Sequence, residues 1–554
     1  MGKDSLKIIS LGGFGEVTKN MFVYETSNDI LVVDCGVGFP EEEMMRIDLI
    51  VPDISYLKAR LEKVRAIILS HGHDDHIGGL PYILPQLPKN LPVFGPRWAV
   101  ALSALKLQEF GLSANFNAIN EKSRIKLGDF SLEFIQVTHS IPDTYHIVIK
   151  TPVGIIYHAA DFKLDLTPVM GRPTAQEKIK EVGKRGVLCL LSDCLRAENQ
   201  GFTPAEAKLE EMFEEEMKNC RGKFLVTTMS SNISRLKQAI DVSRRLGRKV
   251  VLLGRSIKEN MKLAEKLDYL RFPQGTFIDK KEIKNYPPNR LTLLVAGSQG
   301  QIGSALDRIV AQEFDFVKIQ PGDKVVFSTD YIPGNEMAIY RLIDNIYRLG
   351  GEVVYQDIHS NVHVSGHGSR EDLGKLMKMV NPRFMIPIGG NFRHMVAYQK
   401  LAVSKGFKAQ QVLLPDDGEV VEFFPGGKVK ISQKIEIHDV LIDAIEGKDV
   451  ESIVLRDRKV LAEEGMVVAV VVLDKQTHLL QGEPEIITRG FIYAKENKDF
   501  FRQAKNKVRQ VVKKMKGKGA DRQIIRRKLQ NELERFFFKT TNRRPMVLPI
   551  IIEV

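Results

Sequence analysis

Eleven residues constrain this chain more than any others: Leu69-Ser70-His71-Gly72-His73-Asp74-Asp75-His76-Ile77-Gly78-Gly79. His71, His73, Asp75 and His76 are all metal-type side chains, and they fall within six positions. The stretch follows the apolar run Ala66–Leu69, which reads as a buried strand, and precedes an apolar run of helical spacing that starts near Ile77. A loop at a strand exit is held by a rigid core, so ligands placed there form a cage. His71 and His73 can share one ion, while Asp75 and His76 face a neighbouring one. Imidazole suits zinc, and a carboxylate adds charge and a bridge. The alternative is a polar turn that happens to be rich in histidine. The chain holds only 12 His in 554 residues, and three of them lie here.

Such a cage needs further ligands. His139, in Thr138-His139-Ser140, follows the strand-like run Phe130–Val137, and Asp161 ends the run from Ile155. Both therefore occupy strand exits, where an incomplete metal site needs them, and Asp161 can bridge two ions through one carboxylate. Asp34, closing Ile30–Asp34, suits a supporting role that orients a ligand imidazole.

The rest of the chain bounds the reading. No run of about 18 apolar residues occurs, so no membrane span is expected. The N-terminus leads straight into the strand-like Leu6–Ile9 without signal-peptide architecture. Cys35, Cys189, Cys194 and Cys220 show no CxxC or framework spacing, which points to a reducing, cytoplasmic setting. The net charge of +12, from 81 Lys+Arg against 69 Asp+Glu, is compatible with a polyanionic partner.

Residues 1–202 alternate short β-branched runs with Gly/Asp/His turns, as expected of an α/β layer protein with mixed sheets. In 203–356 helix-like stretches (Pro204 to Cys220, Ser234 to Leu246) alternate with buried strands (Lys223–Thr227, Lys249–Leu253, Leu291–Val295, Asp323–Phe327). Each strand ends in a small-residue loop: Thr227–Asn232, Gly254–Ser256, Gly297–Gly300 and Ser328–Asp330. Such loops gather at the carboxyl edge of a doubly wound sheet and suit a phosphate or nucleotide surface; plain turn chemistry is the alternative. Residues 357–440 return to strands and histidines. Residues 445–554 read as a small α/β unit with strands Met466–Leu473 and Met546–Val554. Its Lys/Arg-rich helical run, Phe500 to Phe538, reads as a solvated face or an oligomer surface rather than a nucleic-acid site.

Asp34, His71–His76, His139 and Asp161 occur in the order of the metallo-β-lactamase superfamily, and the insertion resembles that of the β-CASP nucleases. Over nearly its full length the chain is similar to the ribonuclease J family. The resemblance rests on Gly38–Glu43, Ile47–Ile54, Ser230–Ile233, Gly254–Ser256, Gly297–Gly300, Ile332–Glu336, His363–Gly368 and Arg489–Ile492. It implies a metallo-β-lactamase αββα sandwich with an inserted β-CASP doubly wound α/β domain and a small C-terminal α/β domain. It also implies two Zn²⁺ per subunit. The expected substrate is single-stranded RNA, 5′-monophosphorylated, cut by 5′-to-3′ exonuclease and endonuclease activity in RNA maturation and decay. A homodimer or homotetramer is implied as well.

By the same resemblance, Asp193 falls on the first β-CASP motif and His367 on the second. There the two pair and the imidazole protonates the leaving oxygen, while Asp75 accepts the proton of the attacking water. A carboxylate beside an imidazole raises its pKa and fixes its tautomer, as a general acid requires. Ser231, Asn232, His363, Val364, Ser365, Gly366 and His367 match positions implied to hold RNA phosphates, with Arg255 contributing charge.

One motif departs from the pattern. Where the family carries Pro-x-His-Gly-Glu, this chain reads Pro387-Ile388-Gly389-Gly390-Asn391, so Gly389 replaces a metal-ligating His and Asn391 a Glu. Gln301 likewise stands where a Glu is common. The first site (His71, His73, His139, Asp161) is intact, and the second keeps Asp75, His76 and Asp161. Three protein ligands form an acceptable catalytic zinc shell. The expectation is therefore a weaker second metal, exchangeable with manganese. Two competing readings remain: a catalytically weak RNA-binding subunit supporting an active paralogue, and a small-ester or thioester hydrolase on the same metal fold. The hydrolase reading leaves the 150-residue-scale insertion without a purpose, and fold alone does not decide function.

Overall fold

The computed structural model describes residues 5–40, 44, 47–332, 334–359, 361–443, 448–449, 452–477, 479–492, 497–515 and 522–554. Glu41–Glu43 and Pro333 of the quoted stretches, position 445 and the 516–521 part of the basic run lie outside these residues, as does the start of the N-terminus.

The chain forms two units, residues 1–39 with 50–440, and residues 40–49 with 441–554. In the first unit, strands whose residues are apolar at both odd and even positions are buried on both faces. Leu31 and Val33 point into one cluster and Ile30 and Val32 into another. Eight strands form one sheet in the order Lys428–Lys434, Glu419–Phe424, Leu6–Gly12, Met21–Glu25, Ile30–Val33, Val64–Ile68, Pro92–Pro96, Asn115–Ile119. Six form another, Phe384–Ile388, Val187–Asp193, Gly154–Ala159, Thr144–Thr151, Phe130–Val137, Arg124–Leu127. The sheets face each other across one core that includes Phe22, Leu31 and Ile68 from the first and Phe134, Ile147 and Leu191 from the second. Their outer faces are covered by helices: Leu57, Ile77 and Leu80 on one side, Ile179, Leu376 and Tyr398 on the other. This is a four-layer αββα sandwich.

Between Val187–Asp193 and Phe384–Ile388, which pair in parallel register (Asp193 opposite Ile388), the chain makes its excursion. The excursion holds a five-stranded, wholly parallel sheet: Lys249–Leu253, Leu291–Val295, Phe224–Thr227, Lys324–Phe327, Glu352–Val354. Apolar clusters cover both of its faces, as in a doubly wound fold. The second unit has strand Met466–Leu473 at the centre of a sheet, antiparallel to Glu485–Arg489 and parallel to Met546–Glu553. Helices Lys498–Lys514 and Arg522–Thr541 pack on it through Val508, Val512, Leu529 and Leu533. The basic run expected as one stretch is thus two helices. No helix among the described residues is long and apolar enough to cross a membrane.

The run expected to become a helix from Ile77 is instead two short turns, Asp74–Ile77 and Leu80–Ile83. Gly78 and Gly79 lie between them, both with right-handed helical dihedrals, where the chain passes too close to its neighbours for a side chain. A Cβ on Gly79 would sit 2.7 Å from the Gly36 carbonyl oxygen.

Candidate metal centre

Four strand ends converge to build the site. Val64–Ile68 leads to His71 and His73, Phe130–Val137 to His139, Gly154–Ala159 to Asp161, and Val187–Asp193 ends on Asp193. The first three imidazoles turn nitrogens toward one point. His71 Nε2 and His139 Nε2 each lie 3.0 Å from His73 Nδ1, and both lie 3.6 Å from Asp161 Oδ2. Ligands about 2.0–2.1 Å from a tetrahedral metal are separated by roughly 3.3 Å, so this donor set fits zinc.

A second set shares the same carboxylate oxygen. His76 Nε2 is 3.4 Å from Asp161 Oδ2 and 3.6 Å from Asp75 Oδ2. Two groups able to hold a metal, His71–His73–His139–Asp161 and Asp75–His76–Asp161, thus meet on Asp161.

Each imidazole is held from behind, which fixes the nitrogen it presents. His71 Nδ1 lies 3.0 Å from Ser70 Oγ, His73 Nε2 3.4 Å from Ser140 Oγ, and His139 Nδ1 donates to the Gly366 carbonyl at 2.8 Å. His76 Nδ1 lies 2.7 Å from Asp34 Oδ2, and Asp34 also accepts the Ser70 N–H and hydroxyl. Asp34 therefore takes the supporting position expected of it, whereas Ser70 and Ser140 gave no signal of their own.

The electrostatics of the first set match metal ligands, whereas at His76 burial is outweighed by the Asp161, Asp75 and Asp34 carboxylates, which push it well above the usual histidine range. Burial, reinforced by neighbouring imidazoles, holds His71 and His139 well below the usual histidine range. Burial also lowers His73 to about 4. These rings are neutral, with lone pairs available for a metal. Burial raises the Asp75 carboxyl to about 6.

His367 and Asp193 stand beside this centre. His367 Nδ1 is 2.8 Å from Asp193 Oδ2, and its Nε2 lies 3.8 Å from Asp161 Oδ2. Burial works against the His367 charge, but the Asp193 and Asp161 carboxylates outweigh it and push the pKa up to about 9. An imidazolium with its free N–H facing the metal ligands is a proton donor at neutral pH.

The remaining predicted residues divide. Gly366 touches His139, and a Cβ there would come within 2.7 Å of that ring. Ser365 Oγ accepts the His367 N–H at 3.3 Å. The Val364 carbonyl and His363 Nδ1 are both held by Arg235, at 2.8 and 2.7 Å. Asn232 caps the helix Ile233–Arg245 by accepting the Arg235 N–H, and Ser231 precedes it, half-buried. Arg255 stands apart: its side chain is 86% exposed and pairs with Glu259 at 3.9 Å.

Sequence reasoning missed a buried ionic hub behind the loop 363–367. Arg235, 1% exposed, binds Glu206, the Ser328 carbonyl, the Val364 carbonyl and His363. Glu206 also pairs with Lys163, two residues past Asp161. Neither residue lies in a motif, and Glu206 reads as an ordinary polar position of a helix.

The comparisons with known proteins follow the same divisions. Residues 14–171 match the metallo-β-lactamase superfamily, 221–346 the ribonuclease J β-CASP domain, 350–414 the Zn-dependent metallo-hydrolase RNA specificity domain, and 453–554 the ribonuclease J C-terminal domain. The chain is 37% identical to ribonuclease J2 of Bacillus subtilis, covering 100% of this chain and 99% of that one. It is 34% identical to ribonuclease J 1 of Streptococcus pyogenes, covering 98% and 97%. A solved structure of a protein of unknown function from Enterococcus faecalis shares the fold, at 17% identity and a TM-score of 0.53, over 76% of this chain and 100% of that one. With its αββα sandwich, its inserted parallel sheet and full-length relatives above 30% identity, the chain belongs to the ribonuclease J family of metal-dependent, RNA-binding nucleases.

Proposed function

We propose that this protein is a cytoplasmic zinc-dependent ribonuclease that degrades single-stranded RNA from a 5′-monophosphorylated end and also cuts internally, in RNA maturation and decay. It works with two zinc ions, the second held more weakly and open to manganese, in a homodimer or homotetramer. Its parts are a metallo-β-lactamase domain in two segments (1–202 and 357–440), a β-CASP insertion (203–356) and a C-terminal domain (445–554). One observation carries the reading: two donor sets share Asp161 Oδ2, with His367 Nε2 3.8 Å from the same oxygen and its other nitrogen on Asp193.

When bound, the metals neutralise charge on the scissile phosphate and make water a competent nucleophile at neutral pH. His71, His73, His139 and Asp161 would hold one ion, and Asp75, His76 and Asp161 the other. Asp75 accepts the proton lost by the attacking water. As the bond from phosphorus to the 3′ oxygen breaks, His367 Nε2 gives its proton to that oxygen and Asp193 stabilises the ring. His363, Ser365, Gly366, Ser231 and Asn232 hold phosphates, with the Val364 backbone shaping their loop. Arg255 adds a mobile charge at the margin.

The test is a 5′-monophosphorylated, 3′-labelled single-stranded RNA, incubated with zinc or manganese beside a His76→Ala control. Release of 5′ mononucleotides by the unsubstituted protein alone is expected. RNA binding without cleavage under every metal would overturn the enzyme reading. It would favour the second one, a catalytically weak RNA-binding subunit of an active paralogue, which the missing imidazole at Gly389 supports.

A further inference from the structure

The phosphate-holding loop is already in contact with an anion of the protein itself. Asp330 follows strand Lys324–Phe327 at the carboxyl edge of the parallel sheet, and its Oδ2 lies 3.0 Å from His363 Nε2. The other His363 nitrogen, Nδ1, lies 2.7 Å from Arg235 Nη1. A guanidinium only donates, so Nδ1 carries the lone pair and Nε2 the proton. The single free donor of His363 therefore points at a carboxylate.

Asp330 is not needed to orient that ring. Arg235 is buried and fixed by Glu206 and two backbone carbonyls, so it holds His363 without help. Nor is Asp330 a loose surface group. Its carbonyl accepts from Gln299 Nε2 at 2.8 Å and Thr329 Oγ1 at 3.0 Å, and Gln299 Oε1 in turn accepts the Ile332 N–H at 2.9 Å. Gln299 is 2% exposed, so the turn carrying Asp330 is anchored from the interior. The carboxylate itself is 49% exposed and open to displacement. Burial favours its neutral form, but the His363 hydrogen bond and the nearby Arg196 and Arg235 outweigh this, and the group is ionised.

Building on the reading of His363 as a phosphate-holding residue, we infer that Asp330 is a specificity-determining residue. In the free protein it occupies the His363 Nε2–H donor as a stand-in for phosphate, and an RNA phosphate must displace it. The carboxylate thus sets how strongly a terminal phosphate is preferred over a terminal hydroxyl, because only the phosphate competes for that donor.

Asp330→Asn keeps an acceptor for His363 and removes the charge. The metal-loaded full chain is titrated with a short 5′-monophosphorylated RNA and its 5′-hydroxyl counterpart, both 2′-O-methylated with phosphorothioate linkages that resist cleavage, and Kd is read by fluorescence anisotropy. Like-charge opposition at a binding site costs enough that relief tightens the phosphorylated RNA by about tenfold. The hydroxyl RNA changes by less than about twofold by the same argument. Unchanged or weakened binding of the phosphorylated RNA overturns the inference and makes Asp330 an orienting residue. His363→Gln separates the two levels. If it abolishes the phosphate preference while Asp330→Asn fails to strengthen it, only the inference falls. If His363→Gln leaves the preference intact, the phosphate-site reading falls and the inference with it.

Discussion

Gly389 occupies the left-handed region, φ +63°, beside the centre where the family pattern places an imidazole. A Cβ there would have a single neighbour within 4 Å, Asp161 Oδ1 at 3.9 Å, so the space a side chain would enter opens toward the shared carboxylate. Gly389→His adds a donor beside Asp161, the carboxylate that the two donor sets share, one of which has only three members. Second-metal retention against a chelator should rise about tenfold, the scale on which changes around a metal act. The positive φ offsets this with about 1–3 kcal/mol of lost stability. Metal content after chelator dialysis, read beside thermal unfolding, separates the two effects; unchanged retention would remove position 389 from the metal site. Asp34 gives the opposite test. Its carboxylate accepts the Ser70 N–H, the Ser70 hydroxyl and the His76 imidazole. Asp34→Ala should lower metal retention by about 10–100-fold, and a smaller loss would mean that His76 is oriented by packing alone.

The strands that carry the ligands could be read from the sequence because their apolar runs are long and β-branched. Phe130–Val137, which leads to His139, begins and ends where its composition changes, and so do Lys249–Leu253, Leu291–Val295 and Met466–Leu473, which carry no candidate ligand. The ligand cluster followed, because a strand exit fixes where His71, His139 and Asp161 point. What could not be read is whatever depends on contacts between distant segments. The stretch after the motif forms two short helical turns, and Gly79 between them packs on the Gly36 backbone, 43 positions earlier, where no side chain fits. The Arg235–Glu206–Lys163 hub joins three segments that share no motif. That hub ties the helix Ile233–Arg245 to the loop 363–367 and to the strand exit at Lys163, so removing one partner leaves a buried charge. Arg235→Met should lower stability by about 3–5 kcal/mol, measured by denaturant unfolding. The same contacts make stability depend on acid. Burial pushes the Glu206 carboxyl up, but Arg235 and Lys163 outweigh it and hold it below its ordinary value of 4.5. The unfolded chain therefore takes up this proton first, so the stabilisation is complete above 4.5 and is lost as pH falls through the lower folded value. Glu206→Gln should flatten the melting temperature's fall below pH 4.5. An unchanged slope would assign the acid sensitivity to other carboxylates.

The positive charge of the whole chain is unevenly distributed, and its distribution bears on how RNA arrives. Residues 441–554 hold 24 Lys and Arg against 16 Asp and Glu, so this fifth of the chain supplies +8 of the net +12. Helices Lys498–Lys514 and Arg522–Thr541 carry it, and on the second Arg522, Arg526, Arg527 and Lys528 are exposed while Ile525 and Leu529 face the core. A solvated basic face need not touch RNA to matter, because its field extends about 8 Å at physiological ionic strength and raises encounter rates with a polyanion. Replacing Arg526, Arg527 and Lys528 together by Glu should slow RNA association severalfold at low salt. The difference should disappear as potassium chloride rises, with dissociation and metal content unchanged, as stopped-flow fluorescence and metal analysis would report. Faster dissociation with a shallower dependence of log Kd on log salt, by about 2 for three lost phosphate contacts, would instead mean that this helix grips the strand directly. The two outcomes differ in what holds the RNA. If only the on-rate moves, retention belongs to the metal centre and the loop 363–367. If the off-rate moves, the second unit itself holds the RNA.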